Sequence, residues 1–170
     1  MNSDSQIRLR AMEPEDLDLL YQIENDRSLW DVGTNNVPYS RYVLHHYMAS
    51  NTGDIYSDKQ VRLVIENGVG QTVGLADLTN FDAKNCRAEV GIAILSTQRN
   101  RGYGGMALSR MAEYASQVLH LHQLYAVIDT GNQESLQLFS HAGYQTAATL
   151  DDWLYDGKKF HKAMLMQIFL

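Results

Sequence analysis

One cysteine, two prolines and no long apolar run are what this 170-residue chain has least of. With Cys86 as the only cysteine, neither an intrachain disulfide nor a multi-cysteine metal site can form. So few prolines argue against long disordered linkers. No apolar stretch approaches the ~18 residues of a membrane span, and the polar start "MNSDSQ" does not read as a signal peptide, so a cytoplasmic home without a membrane partner is the expectation. Positive charge is also short: 14 Lys and Arg stand against 20 Asp and Glu, a net charge of −6. Binding to a nucleic-acid backbone needs basic residues clustered over a face, so nucleic acid is not an expected partner. An acidic surface suits cationic amines, but it is common among cytosolic proteins and carries little weight alone.

What remains is ordinary globular usage, 45% hydrophobic and 20% charged, at a length suited to one domain spanning residues 1–170. "IRLRAM" (7–12) alternates as a half-exposed strand, and Pro14 opens a helix whose Leu17, Leu20, Tyr21 and Ile23 fall near helical spacing. Residues 28–58 loosen into loop around one short helix, "SRYVLHHYMASN". Three strand candidates follow, at 60–67, 71–81 and 86–95, spaced as an antiparallel meander. A helix stripe of Leu108, Met111, Ala112, Ala115, Val118 and Leu119 comes next, then a buried strand at 123–129. Asn132 reads as the cap of a helix ended by Gly143, and two closing strands near 144–150 and 158–170 turn at Asp156-Gly157. The fold class is α+β: a mixed, mostly antiparallel twisted sheet flanked by about four helices.

The informative stretch is "STQRNRGYGGMA" (96–107), a glycine-rich loop between a strand and a helix. Backbone N–H groups at a helix N-terminus make an anion site, and Arg99 and Arg101 add positive charge there. Side chains at Gly102, Gly104 or Gly105 would hold phosphate oxygens off or forbid positive φ. A nucleotide P-loop fails, because Gly104 is followed by Gly105-Met106 instead of Lys and Ser or Thr. The dinucleotide fingerprint is met in spacing by Gly102, Gly104 and Ala107, with Asp129 downstream, but a polar run separates the strand from the glycines and the upstream strands form no βαβ unit.

Arg99-Asn100-Arg101-Gly102-Tyr103-Gly104 resembles the (Gln/Arg)-x-x-Gly-x-(Gly/Ala) loop of the GCN5-related N-acetyltransferases. "AEVGIAI" before it is similar to that family's splayed fourth strand, and "NQESLQLFSHAGY" to its downstream helix, in the same order and spacing. The spermidine/diamine and ribosomal-protein N-terminal acetyltransferase branches are the nearest in pattern. The resemblance implies acetyl-CoA as co-substrate, with its pyrophosphate on Arg99, Asn100, Arg101, Gly102, Tyr103, Gly104 and Gly105. It also implies a thioester lying along Ile92, Ala93 and Ile94, where the N–H of Ile92 or a neighbour polarises the carbonyl, and further contacts from Asn132 and Ser135.

The implied reaction is attack of an amine on a thioester. An amine of pKa about 10.4 is scarce in its neutral form at neutral pH, a handicap of roughly 4–5 kcal/mol, so a general base helps. Glu89 is the candidate; the alternative is an ion-paired strand glutamate. Phe139 stands where relatives place a tyrosine acid. A thiol of pKa about 8.5 leaves readily, so the missing acid costs at most roughly 2 kcal/mol. Glu24, Asp26, Asp31 and Tyr39 are the candidates for meeting a cationic substrate in the early loop region. His45-His46 and His120/His122 lack accompanying ligands, and no metal is expected. A polyamine or diamine such as spermidine, a protein N-terminus such as that of a ribosomal protein, and a domain that binds the cofactor without catalysis all stay open. So does a homodimer.

Overall fold

The computed structural model describes residues 6–30 and 37–170, the side chain of Trp30 excepted. Seven strands form one sheet in the order β1-β2-β3-β4-β5-β7-β6. They are β1 (Ile7–Ala11), β2 (Val61–Asn67), β3 (Thr72–Asp82), β4 (Arg87–Ile94), β5 (Gln123–Asp129), β6 (Gln145–Tyr155) and β7 (Phe160–Phe169). Every neighbouring pair is antiparallel except β4 and β5, which run parallel. The expected mixed, mostly antiparallel sheet is therefore present.

Helices cover both faces. After a 3₁₀ turn at Pro14–Asp16 come α1 (Leu17–Glu24), α2 (Arg27–Trp30), α3 (Arg41–Ser50), α4 (Ile55–Asp58), α5 (Tyr103–Gln117) and α6 (Gln133–His141). The four longer ones match the expected helices; α2 and α4 are single turns of four residues, too short to show a 3.6-residue period. Strand alternation divides the core. Ala76, Leu78, Ala88, Val90, Leu124, Ala126 and Ile128 pack with Ala107, Leu108, Met111 and Ala115 of α5. Val64 and Leu75, facing the other way, bury Leu19, Leu20, Ile23 and Leu44 of α1 and α3. Period-2 alternation on both faces of a central sheet is what two helical layers demand.

The caps follow residue chemistry. Ser40 Oγ accepts from Val43 N–H at 3.1 Å to start α3, Asp54 Oδ1 from Tyr56 N–H at 3.1 Å to start α4, and Asn132 Oδ1 from Ser135 N–H at 3.1 Å to start α6. The β6–β7 hairpin turns at Asp156-Gly157 as expected, with Gly157 at φ 91°. Asp156 fastens that turn by accepting from the N–H groups of Lys158 and Lys159 at 2.8 Å each, with His161 Nε2 2.7 Å from its other oxygen. Strand β6 runs to Tyr155, beyond the expected end near Leu150, through two register slips, at Thr146/Ala148 and Leu150/Leu154.

Among the described residues no helix is long and apolar enough to cross a membrane, and no group of three or more His, Cys, Asp or Glu is arranged to hold a metal ion.

Candidate active site

The parallel strands β4 and β5 pair at only three positions, Arg87↔Gln123, Ala88↔Leu124 and Glu89↔Tyr125. Both strands continue, to Ile94 and to Asp129, but on diverging courses, each still paired on its outer side, β4 with β3 and β5 with β7. A fork opens in the middle of the sheet, and alternate N–H and C=O groups of 90–94 line one arm. Gly74 of β3 helps to tilt that arm: a Cβ there would collide with the carbonyl oxygen of Ala93, so the bare glycine lets the upper end of β4 lean onto β3. Ile92, Ala93 and Ile94, expected along the thioester, lie on this arm and are half-buried.

At the tip of the β4 arm the chain makes a 3₁₀ turn at Ser96–Gln98 and enters the glycine loop. Asn100 at φ 60° and Gly102 at φ 80° both adopt left-handed backbone, which asparagine tolerates and glycine adopts freely. Gly102 is the N-cap of α5 and supplies no side-chain oxygen, so, unlike α3, α4 and α6, this helix begins without a side-chain cap. Its first-turn N–H groups have no acceptor within the helix, and the helix dipole adds partial positive charge.

The remaining loop residues divide by role. The Arg99 guanidinium donates from Nε to the Ile94 carbonyl at 3.2 Å and lies 4.0 Å from Asp26, so it ties the loop to the β4 arm and to the α1–α2 connection. Arg101 and Asn100 are exposed. The Tyr103 side chain turns into the core, 3.5 Å from Asn67 Nδ2, which leaves only its backbone for a ligand. Gly104 lacks a side chain for packing: a Cβ would stand 3.1 Å from Leu138 Cδ2 on α6, whereas at Gly105 the nearest atom is at 4.0 Å. Of the three glycines, Gly102 is the one whose φ requires glycine. Just before the loop, Gln98 Oε1 is buried with no hydrogen-bond partner among the described residues. An uncapped helix start and a left-handed glycine suit phosphate oxygens, and the open fork beside them suits the extended remainder of a ligand that carries them.

On the α1/α3 face, Glu89 projects at the last paired position below the fork, its Oε2 accepting from Asn80 Nδ2 at 2.8 Å. Beside it, the Tyr125 hydroxyl is pushed above the usual phenol range, first by burial and then by the Glu89 charge. Asp77, the register partner of Gly91, is held by Arg62 through two bonds of 2.7 and 2.9 Å, and Arg62 also grips Glu24 at 2.6 Å. Glu24, expected to greet a cation, is thus half-buried in a charge cluster of two carboxylates and one guanidinium. The ring of Tyr47 lies 5.7 Å from that guanidinium. Asp26 sits below the usual carboxylate range, chiefly through the hydrogen bond from the Ser28 hydroxyl. Tyr39 is clamped by its backbone, donating to Asn25 Oδ1 at 2.8 Å and accepting from Asn25 Nδ2 at 3.0 Å. Asp31 lies outside the described residues.

Asn132 and Ser135 stand at the start of α6, beyond the end of the β5 arm, already bonded to each other as cap and acceptor. Phe139 is buried, edge-on to Tyr144 with ring centroids 5.0 Å apart. Tyr144 is in the core, and its hydroxyl, buried without a hydrogen-bond partner among the described residues, is driven well above the ordinary phenol range by desolvation. Sequence reasoning did not single out Asn80, Tyr125, Arg62 or Asp77. The strand alternation alone puts Asp77 and Tyr125 on the Glu89 face, and that was the available signal.

A family model described as acetyltransferase (GNAT) domain matches residues 6–145. The chain is 25% identical to the spermidine N(1)-acetyltransferase of Escherichia coli (strain K12), over 99% of this chain and 89% of the relative. It is 22% identical to the spermidine N(1)-acetyltransferase of Vibrio cholerae, over 97% of this chain and 94% of the relative. Among solved structures, spermidine N-acetyltransferase from Vibrio cholerae in complex with CoA and spermine superposes with a TM-score of 0.87 at 23% identity, covering 97% of this chain and 96% of that one. A dodecameric structure of spermidine N-acetyltransferase from the same organism superposes with a TM-score of 0.82 at 23% identity, covering 97% and 94%.

Proposed function

Because this chain belongs to the GNAT acetyltransferase family, we propose that its fork and glycine loop transfer acetyl groups from acetyl-CoA to the primary amine of a polyamine or diamine such as spermidine. The observation that carries the reading is the divergence of β4 from β5 after Glu89↔Tyr125, next to an α5 that starts without a side-chain cap. Acetyl-CoA supplies an activated thioester carbonyl and a thiolate leaving group. The first-turn N–H groups of α5, with Arg101 beside them, bind the pyrophosphate. The backbone of Ile92 or a neighbour on the β4 arm donates to the developing oxyanion. Glu89 takes the proton of the attacking amine, directly or through water.

The polyamine class is supported by the spermidine acetyltransferase relatives along nearly the whole chain and by the carboxylates Glu24, Asp26 and Asp77 on the face from which an acceptor approaches. Two of the three, Glu24 and Asp77, grip Arg62. Self-association belongs to the same reading: β6 is a free sheet edge of 11 residues, and Trp153, Tyr155 and Phe160 are exposed around its hairpin. The test is thiol release from acetyl-CoA across spermidine, spermine, putrescine, free amino acids and peptides with free N-termini. The reading expects the highest kcat/KM with a polyamine; a peptide N-terminus outrunning every polyamine would reassign the acceptor.

A further inference from the structure

Strand β3 ends irregularly beside Glu89. Its register with β4 slips between Thr79 and Asp82, and Asn80, inside that bulge, stands at φ 49°. Left-handed backbone is disfavoured for residues with a Cβ, with asparagine among the better tolerated. Bulges of this kind re-aim a side chain and recur next to active sites. What this one aims is the Asn80 amide, whose Nδ2 donates to Glu89 Oε2 at 2.8 Å although the asparagine itself is exposed. Tyr125, the β5 register partner of Glu89, has its hydroxyl within reach of the same amide and of the Glu89 charge. Three strands thus contribute one residue each to a cluster at the base of the fork. Nearby charges are already paired: Arg87 with Asp82 at 3.3 Å, and Asp77 with Arg62.

We propose that Asn80 is a positioning residue for acetyl transfer: the bulge turns its amide onto Glu89 Oε2, fixing the carboxylate so that Oε1 faces the acceptor amine or its relay water. This rests on the reading of Glu89 as the base. In the step it serves, the amine nitrogen bonds to the acetyl carbon, its proton passes to Glu89, the carbon–sulfur bond breaks and the CoA thiolate leaves, later to be protonated by solvent. A carboxylate left to rotate spends less time in the productive geometry, so the loss falls on turnover, not on binding.

Asn80→Gly separates this role from a structural one. Glycine keeps the left-handed backbone without steric cost and deletes the amide, while Asn80→Asp keeps the side-chain shape but replaces the donor with a second carboxylate that repels Glu89. Both variants are expected to lower kcat, the glycine variant roughly tenfold, with its KM for acetyl-CoA and for spermidine unchanged and its melting no lower than the parent's. In a Glu89→Gln background neither should lower kcat further, because there is no base left to position. A kcat for Asn80→Gly equal to the parent's, while Glu89→Gln is impaired, overturns the positioning role alone. A Glu89→Gln protein with full activity overturns the base assignment, and the proposal with it.

Discussion

At the scale of single residues, the departure that matters most is Phe139. The position faces the sheet from α6, buried and packed edge-on against Tyr144, so the ring serves the core whatever else it does. A thiol of pKa about 8.5 needs an acid for at most roughly 2 kcal/mol near neutral pH. Phe139→Tyr is therefore expected to raise kcat by less than about thirtyfold; steady-state kinetics checks it, and a gain of several hundredfold would show that thiolate departure limits this enzyme. The glycine loop stood out in the sequence because two arginines followed by three glycines ahead of a helix stripe mark a strand-to-helix turn with an open helix start. The fine assignment was not. Gly104 is bare for the sake of Leu138, and Tyr103 is a core residue, because both facts depend on what α6 and β2 bring across the chain.

At the scale of elements, the fork depends on how β4 leans. Gly74 is the contact that permits it, since any Cβ would strike the Ala93 carbonyl. Gly74→Ala is expected to displace the β4 arm, costing about 1–3 kcal/mol of stability and weakening CoA binding at least tenfold. Thermal melts and calorimetric titration with CoA measure the two effects; unchanged affinity would mean that the arm's tilt is set elsewhere. Strand β1 was readable from its alternation, and β2 to β5 from short apolar, β-branched runs between turn residues, since strands covered on both faces bury consecutive residues. The far half of β6 was not: its two register slips break the alternation, and Asp151-Asp152 reads as a turn while lying within the strand. The base of the fork escaped for a related reason, because the bulge that turns Asn80 toward Glu89 leaves no periodic mark in the sequence.

At the scale of the whole molecule, the N-terminal edge is held by charge. Arg10 binds both oxygens of buried Asp16 at 2.7 and 2.9 Å and also reaches Glu66 at 2.8 Å. The Arg10 hydrogen bonds hold both carboxyls below their ordinary range, from 3.8 for Asp16 and from 4.5 for Glu66. A carboxyl depressed in the folded state stabilises above its unfolded pKa and loses that contribution as pH falls through the folded value. Denaturant midpoints should therefore drop as pH falls below about 4. Asp16→Asn should be less stable than the parent at pH 7, and the gap should close as pH falls through this range. A gap that stays constant would remove this ion pair from the acid response.

The fork, the loop and the carboxylates of the α1/α3 face together support one proposal, that this chain moves acetyl groups onto polyamine nitrogen. Mass spectrometry of spermidine incubated with acetyl-CoA and the protein tests it most directly. The expected product is spermidine heavier by one acetyl unit, formed in step with free CoA and abolished by omitting the protein. CoA bound by the protein, with no acetylated amine from spermidine or any other polyamine, would contradict it.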